Sequence, residues 1–211
     1  MNYNINKTLK EYIEKNIFPE YEKNDYGHRI DHIEYVIRRS LKFAEEVDNI
    51  NFDMVYTIAA YHDIGHNINP KEHERISGEI LYADEKLKEF FTVEEINVMK
   101  EAIEDHRASK NEEPRSIYGK IVSSADRNTD LLNPLIRTYA YRKNLYPEDK
   151  LEIIIEESKK HLIEKFGSKG YATEKMYFED LEYKKFLEDI NELLKDDKLF
   201  REKYLKANNL N

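Results

Sequence analysis

The stretch MVYTIAAYHDIGH, Met54–His66, decides the fold. Its first eight residues are apolar or small nearly all round a helical wheel. A helix of that kind is buried on every side and needs other helices around it. The run then stops on His62 and Asp63, and Gly65 and Pro70 come next as stop signals. An unpaired carboxylate at the end of a buried helix costs several kcal/mol, and a divalent cation is one partner that removes the cost.

Working outward, apolar residues recur mostly at spacings of three and four, and strand-like alternation is scarce, so the reading is an all-α domain. A first helix is expected over Asn6–Ile17, stopping near Pro19, with a loop over Tyr21–His28. A second carries Ile33, Val36, Ile37, Leu41, Ala44 and Val47 on one stripe. The third is Phe52–Asp63. A fourth is expected over Lys71–Glu89. Thr92 and Glu95 form a capping-box pattern that opens a fifth, running to about His106. A polar loop, RASKNEEPRS, leads to a sixth near Ser116 that buries Ile117, Ile121, Ala125 and Leu132. Pro134 is expected to bend or break the chain beyond it. Leu151–Phe166 reads as another amphipathic helix, with one or two more over Phe178–Leu205.

The chain has 211 residues, 36% charged and 40% hydrophobic, which suits a single soluble domain over 1–211. Its motif core would span about 26–132, with a helical extension over about 133–211. No apolar run approaches the ~20 residues that span a bilayer. The opening MNYNINKTLKEYIEKN has no apolar core or small-residue cleavage site, so no signal peptide is expected. With no cysteine, any metal must be held by His, Asp or Glu, and a cytoplasmic location is expected. A net charge of −9 argues against duplex nucleic acid as a partner. A homodimer is compatible with the sequence.

The placement of the seven histidines matters more than their number. His32 borders the stripe of the second helix, His62 and Asp63 close the third, and Asp126 sits at the core-facing edge of the sixth. Two imidazoles and two carboxylates on three core helices suit Mn, Fe, Co, Ni or Zn. GHRIDHIEYV (27–36), AAYHDIGH (59–66) and SSADRNTD (123–130) resemble the three signatures of the HD-domain metal-dependent phosphohydrolase superfamily, in the order H…HD…D. The resemblance covers His28–Asp130 and implies a stack of helices with a divalent metal, Mg included, held by His32, His62, Asp63 and Asp126. HERISGEI (73–80) and AIEDHR (102–107) resemble the places where binuclear members supply further ligands. By that resemblance His73 and His106 would be second-metal ligands or phosphate contacts, core histidines being the other reading, and one or two ions both fit.

The function implied is hydrolysis of a phosphomonoester or phosphodiester in a small phosphorylated metabolite or nucleotide. Asp63 would bind metal and orient the nucleophile. His66 could donate a proton to the leaving oxygen, hold phosphate, or brace a ligand. Arg29 and Arg127 are the substrate-binding candidates, with Arg75 and Arg107 also beside motif residues. Asp130 could orient water or cap a helix. His28 reads as loop or rim, and His161 as packing or surface. The chain lacks the HHE…GYP pattern of cyclic di-GMP phosphodiesterases and the Glu-Asp pair of (p)ppGpp hydrolases. Two other readings stay open: a diiron oxygenase on the same scaffold, and a non-catalytic metabolite-binding regulator.

Overall fold

The computed structural model describes residues 3–24, 28–110, 112–173 and 177–210. The described residues form ten α-helices and no strand. They are α1 (Lys7–Asn16), α2 (Ile30–Ala44), α3 (Phe52–Tyr61), α4 (His73–Ala83), α5 (Val93–Glu104), α6 (Ile117–Ala125), α7 (Leu132–Leu145), α8 (Leu151–Phe166), α9 (Leu181–Lys195) and α10 (Asp197–Ala207). The all-α expectation holds. No helix among them is long and apolar enough to cross a membrane.

The chain divides into two compact units, Met1–Asp126 and Arg127–Asn211. In the first, α3 is the centre. Every residue from Met54 to Tyr61 is buried, and α1, α2, α4, α5 and α6 all pack against it. Its start is set by Asn51, whose side chain accepts from the Asp53 and Met54 N–H groups. The expected stripe of α2 is seen in buried Ile33, Val36, Ile37, Leu41 and Ala44, whereas Val47 lies past the C-cap Glu45 and is half-buried. Full burial of each large apolar side chain in such a stripe contributes about 1.5–3 kcal/mol. Thr92 and Glu95 form the capping box that opens α5, with both reciprocal hydrogen bonds present.

Four local expectations are corrected. Phe18–Lys23 is a 3₁₀ helix, so part of the expected Tyr21–His28 loop is ordered. Fully buried Tyr21 explains this, because its hydroxyl donates to Ala60 O at 2.8 Å and ties the segment to the end of α3. The single helix expected over Lys71–Glu89 is interrupted at Asp84. Its Oδ2 accepts from both Tyr12 and Tyr61 hydroxyls at 2.6 Å, while its side chain also caps a new 3₁₀ turn over Glu85–Glu89. Ile117 and Leu132 are exposed, because they open α6 and α7 rather than facing a core. Pro134 does not break α7. It lies in the first turn, where its missing N–H has no helical partner to lose. Gly65 lies just past the end of α3 at Tyr61, in keeping with a stop signal, and has a second role. It is needed for close approach: a Cβ there would meet Ile76 Cγ2 at 2.7 Å and Ser77 N at 2.9 Å.

The second unit has its own core, including Leu135, Ile155, Leu162, Phe166, Phe186, Ile190 and Phe200. Polar groups buried within it find partners. Tyr204 and Ser158 hydroxyls lie 2.7 Å apart, and the Tyr183 hydroxyl donates to Ala172 O.

Candidate metal centre

The six expected ligands stand at helix ends or just beyond them, where side chains can converge without breaking a helix. His32 is in the first turn of α2, and His62 is the C-cap of α3 with Asp63 next to it. His73 opens α4, His106 comes just after the C-cap of α5, and Asp126 is the C-cap of α6. The ends meet around Asp63, which is 2% exposed. Asp63 Oδ2 lies 3.5 Å from His32 Nε2 and 3.4 Å from His62 Nε2. Asp126 Oδ1 joins this side, 3.2 Å from His32 Nε2 and 4.0 Å from His62 Nε2. Asp63 Oδ1 serves the other side, 3.2 Å from His73 Nε2 and 3.5 Å from His106 Nε2. Two ligand groups therefore share one carboxylate, with ligand atoms in each of His32/His62/Asp63 and Asp63/His73/His106 within 4.8 Å of one another.

The tautomers are set by the backbone behind the rings. His62 Nδ1 is 2.8 Å from Ala59 O, His73 Nδ1 is 2.9 Å from Pro70 O, and His106 Nδ1 is 2.6 Å from Ile103 O. A carbonyl only accepts, so each Nδ1 carries the hydrogen, and each ring in its neutral form presents the Nε2 lone pair inward. His73 Nε2 and His106 Nε2 face each other at 3.3 Å, and two lone pairs at that separation repel unless a proton or a metal cation stands between them. Asp63 Oδ1, His32 Nε2 and His62 Nε2 are buried without a hydrogen bond of acceptable geometry. Buried nitrogen and oxygen donors converging in this way fit a divalent transition-metal ion on either side of Asp63.

The matched family model is the HD domain, over residues 29–129. The chain carries an HD domain. Over those residues the match is to a superfamily of metal-dependent hydrolases, and such a domain implies binding of divalent metal. A crystal structure of a predicted HD superfamily hydrolase from an uncultured Thermotogales bacterium is also similar. It is 21% identical, covers 75% of this chain and 87% of that one, and superposes with a TM-score of 0.46. No curated protein matches the chain.

The electrostatics of the HD domain follow from these distances. Burial would raise the Asp63 carboxyl, but His62, then His106 and His32, override it and hold it well below the usual carboxylate range. Asp126 is lowered in the same way, burial being outweighed by His32 and His62. Burial would lower His32, but Asp126 and Asp63 push it up to about 9. His73 is raised too, with Asp63 overcoming burial. The carboxylates thus stay ionised, and protons on His32 and His73 hold charge that a metal ion would replace.

His66 and His28 lie beside the candidate ligands. Their rings stack at 3.7 Å between centroids, and the His66 ring is 5.2 Å from that of His73. Arg29 is the exposed N-cap residue of α2, and Arg127 opens the second unit as a buried residue. Arg75 is exposed and paired with Glu72 and Glu79. Arg107 bonds Glu74 and Lys71 O. Asp130 accepts from Leu132 N and so serves the start of α7. His161 is exposed on α8.

Sequence reasoning missed two residues that hold this centre. Asn24 is buried, and its amide donates to His28 O at 3.0 Å and Asp63 O at 3.1 Å while accepting from Asn67 N at 3.0 Å. It joins three segments that carry or flank site residues. An asparagine before Asp reads only as a turn, so no sequence signal marked it. Asp105, before His106, is buried and receives Arg115 through N at 2.8 Å and Nε at 2.9 Å, together with Lys110. The polar loop after α5 thereby fixes the turn that carries His106.

Proposed function

We propose that this chain is a phosphohydrolase that takes a small phosphorylated metabolite or nucleotide, with divalent ions on both sides of Asp63. The observation that carries the reading is the shared carboxylate. One Asp63 oxygen is near His32 and His62, the other is near His73 and His106, and three of these imidazoles are held as lone-pair donors by backbone carbonyls. Divalent ions in these positions would supply Lewis acidity and a nucleophilic water at neutral pH.

The protein's own groups do the rest. Asp63 holds the two ligand groups in register and orients the attacking water from its buried position. His66, stacked on His28 at the edge of the ligand cluster, gives a proton to the leaving oxygen. Arg29 and Arg127 are assigned to the anionic substrate by charge alone, since the chain as a whole is acidic. The same nitrogen-rich donor set also suits iron, which keeps dioxygen chemistry as the competing outcome of the test.

The test strips the purified chain with a chelator and reloads it separately with Mn, Co, Ni, Mg, Zn and Fe. Phosphate release is then followed from p-nitrophenyl phosphate and a panel of phosphorylated metabolites and nucleotides, alongside oxygen uptake. Activity lost on stripping, restored on reloading and absent in Asp63→Ala supports the proposal. Full phosphatase activity after stripping, or oxygen uptake without phosphate release, overturns it.

A further inference from the structure

Asp126 reaches the centre from the end of α6, and something must fix that helix end. The last turn of any α-helix leaves carbonyls without helical partners. Here the turn is buried from Ile121 to Ala125, so water does not serve them readily. Arg39 of α2 does. It is 4% exposed, its Nε donates to Ala125 O at 3.0 Å, and its Nη2 donates to Ser124 O at 3.4 Å. Its guanidinium also sits 5.2 Å from the Tyr35 ring centre and 5.4 Å from that of Phe43. A cation at this end also complements the negative pole of the helix.

The contact has a local consequence. The peptide unit between Ala125 and Asp126 is held at both ends: its carbonyl by Arg39, and its N–H by Val122 O at 2.9 Å. That plane sets where the Asp126 side chain leaves the backbone. Arg39 and His32 lie two turns apart on α2, on the same face of the helix. One helix therefore contributes His32 and also fixes the helix end that contributes Asp126. The 3.2 Å separation of His32 Nε2 and Asp126 Oδ1 follows from both.

We propose that Arg39 is a positioning residue that sets Asp126 for metal binding. The inference rests on the reading of Asp126 as a ligand. A buried arginine on a helix end could instead serve stability alone, and a double-mutant cycle separates the two roles. The full chain, Arg39→Met, Asp126→Asn and the double variant are titrated with Mn²⁺ alone against a chromophoric competitor, and circular dichroism checks their folding.

Loss of such supporting contacts weakens metal binding by about 10- to 100-fold, and this is the effect expected for Arg39→Met. In the Asp126→Asn background the same change should alter affinity by no more than about twofold, because there is no ligand left to position. Arg39→Lys should recover part of the affinity, since an ammonium reaches one carbonyl but not two. If Arg39→Met does not fold, Arg39→Lys takes its place in the cycle. Equal weakening in both backgrounds, or none in either, overturns the inference while Asp126→Asn alone still weakens binding. An Asp126→Asn variant with unchanged affinity removes the ligand reading, and the inference with it.

Discussion

Gly65→Ala is the substitution for which the structure gives a specific magnitude. The added Cβ would stand 2.7 Å from Ile76 Cγ2, 2.9 Å from Ile76 Cβ and 2.9 Å from Ser77 N. Two of those atoms are close to or part of the α4 backbone, so a side-chain rotation does not relieve them. Restoring an ordinary contact requires α4 to recede by about 0.5–0.8 Å. Overpacking of this kind costs about 1–3 kcal/mol. The hydrogen bond from Gly65 N to Ser77 Oγ, now 2.9 Å, is stretched by the same motion. For a typical urea dependence, the unfolding midpoint should fall by about 0.5–1.5 M.

His73 lies on α4 with Ile76 and Ser77, so it moves away from Asp63 as they do. Metal–ligand distances tolerate only about 0.2 Å. The group built from Asp63, His73 and His106 should therefore lose metal affinity by tenfold or more, on the order seen when supporting contacts are lost. The group built from His32, His62, Asp63 and Asp126 is carried by α2, α3 and α6 and should change much less. Urea unfolding of the metal-free chain and a metal titration read the two effects separately. A midpoint within about 0.2 M of the parent, with metal binding unchanged, would refute the packing argument.

Other outcomes depend on individual contacts. His32 sits at about 9 against an ordinary 6.5, so at neutral pH metal must displace a proton there. Calorimetry in two buffers of different ionisation enthalpy should show release of at least one proton per chain, and affinity should rise with pH up to about 9. Buffer-independent heats would contradict this. A raised folded-state value also stabilises the metal-free protein fully below 6.5 and loses that contribution as pH climbs through about 9, so its melting temperature should fall over that window. Asp84→Ala leaves the Tyr12 and fully buried Tyr61 hydroxyls without their shared acceptor. A loss of about 1–3 kcal/mol is expected by chemical denaturation, with Asp84→Asn milder.

The residues that converge on Asp63 and the core stripes were legible because they are local patterns. His62 and Asp63 adjoin an all-apolar helix, and His32 and Asp126 each sit at a fixed spacing from apolar neighbours. What was not legible depends on partners distant in sequence. Asp84 interrupts a helix because Tyr12 and Tyr61 reach it from other elements. Arg39 looks like one more surface arginine until α6 is folded against it. Gly65 reads as a helix stop, whereas its requirement comes from α4 packed on it. Pro134 reads as a breaker because its place within the helix was unknown. Beyond Asp130 the periodicity located helices but carried no motif, so His161 read only as packing or surface, and it is exposed on α8.

If Asp63 is shared between two metal-binding groups, the number of ions per chain must change with single ligands in a fixed order. The chain and its His106→Ala and Asp63→Ala variants are reloaded with Mn²⁺, freed of excess and analysed for metal per chain. Two ions are expected in the parent, one in His106→Ala and none in Asp63→Ala. A parent that binds no Mn²⁺, or an Asp63→Ala variant that keeps the parent's full complement, would contradict a shared carboxylate.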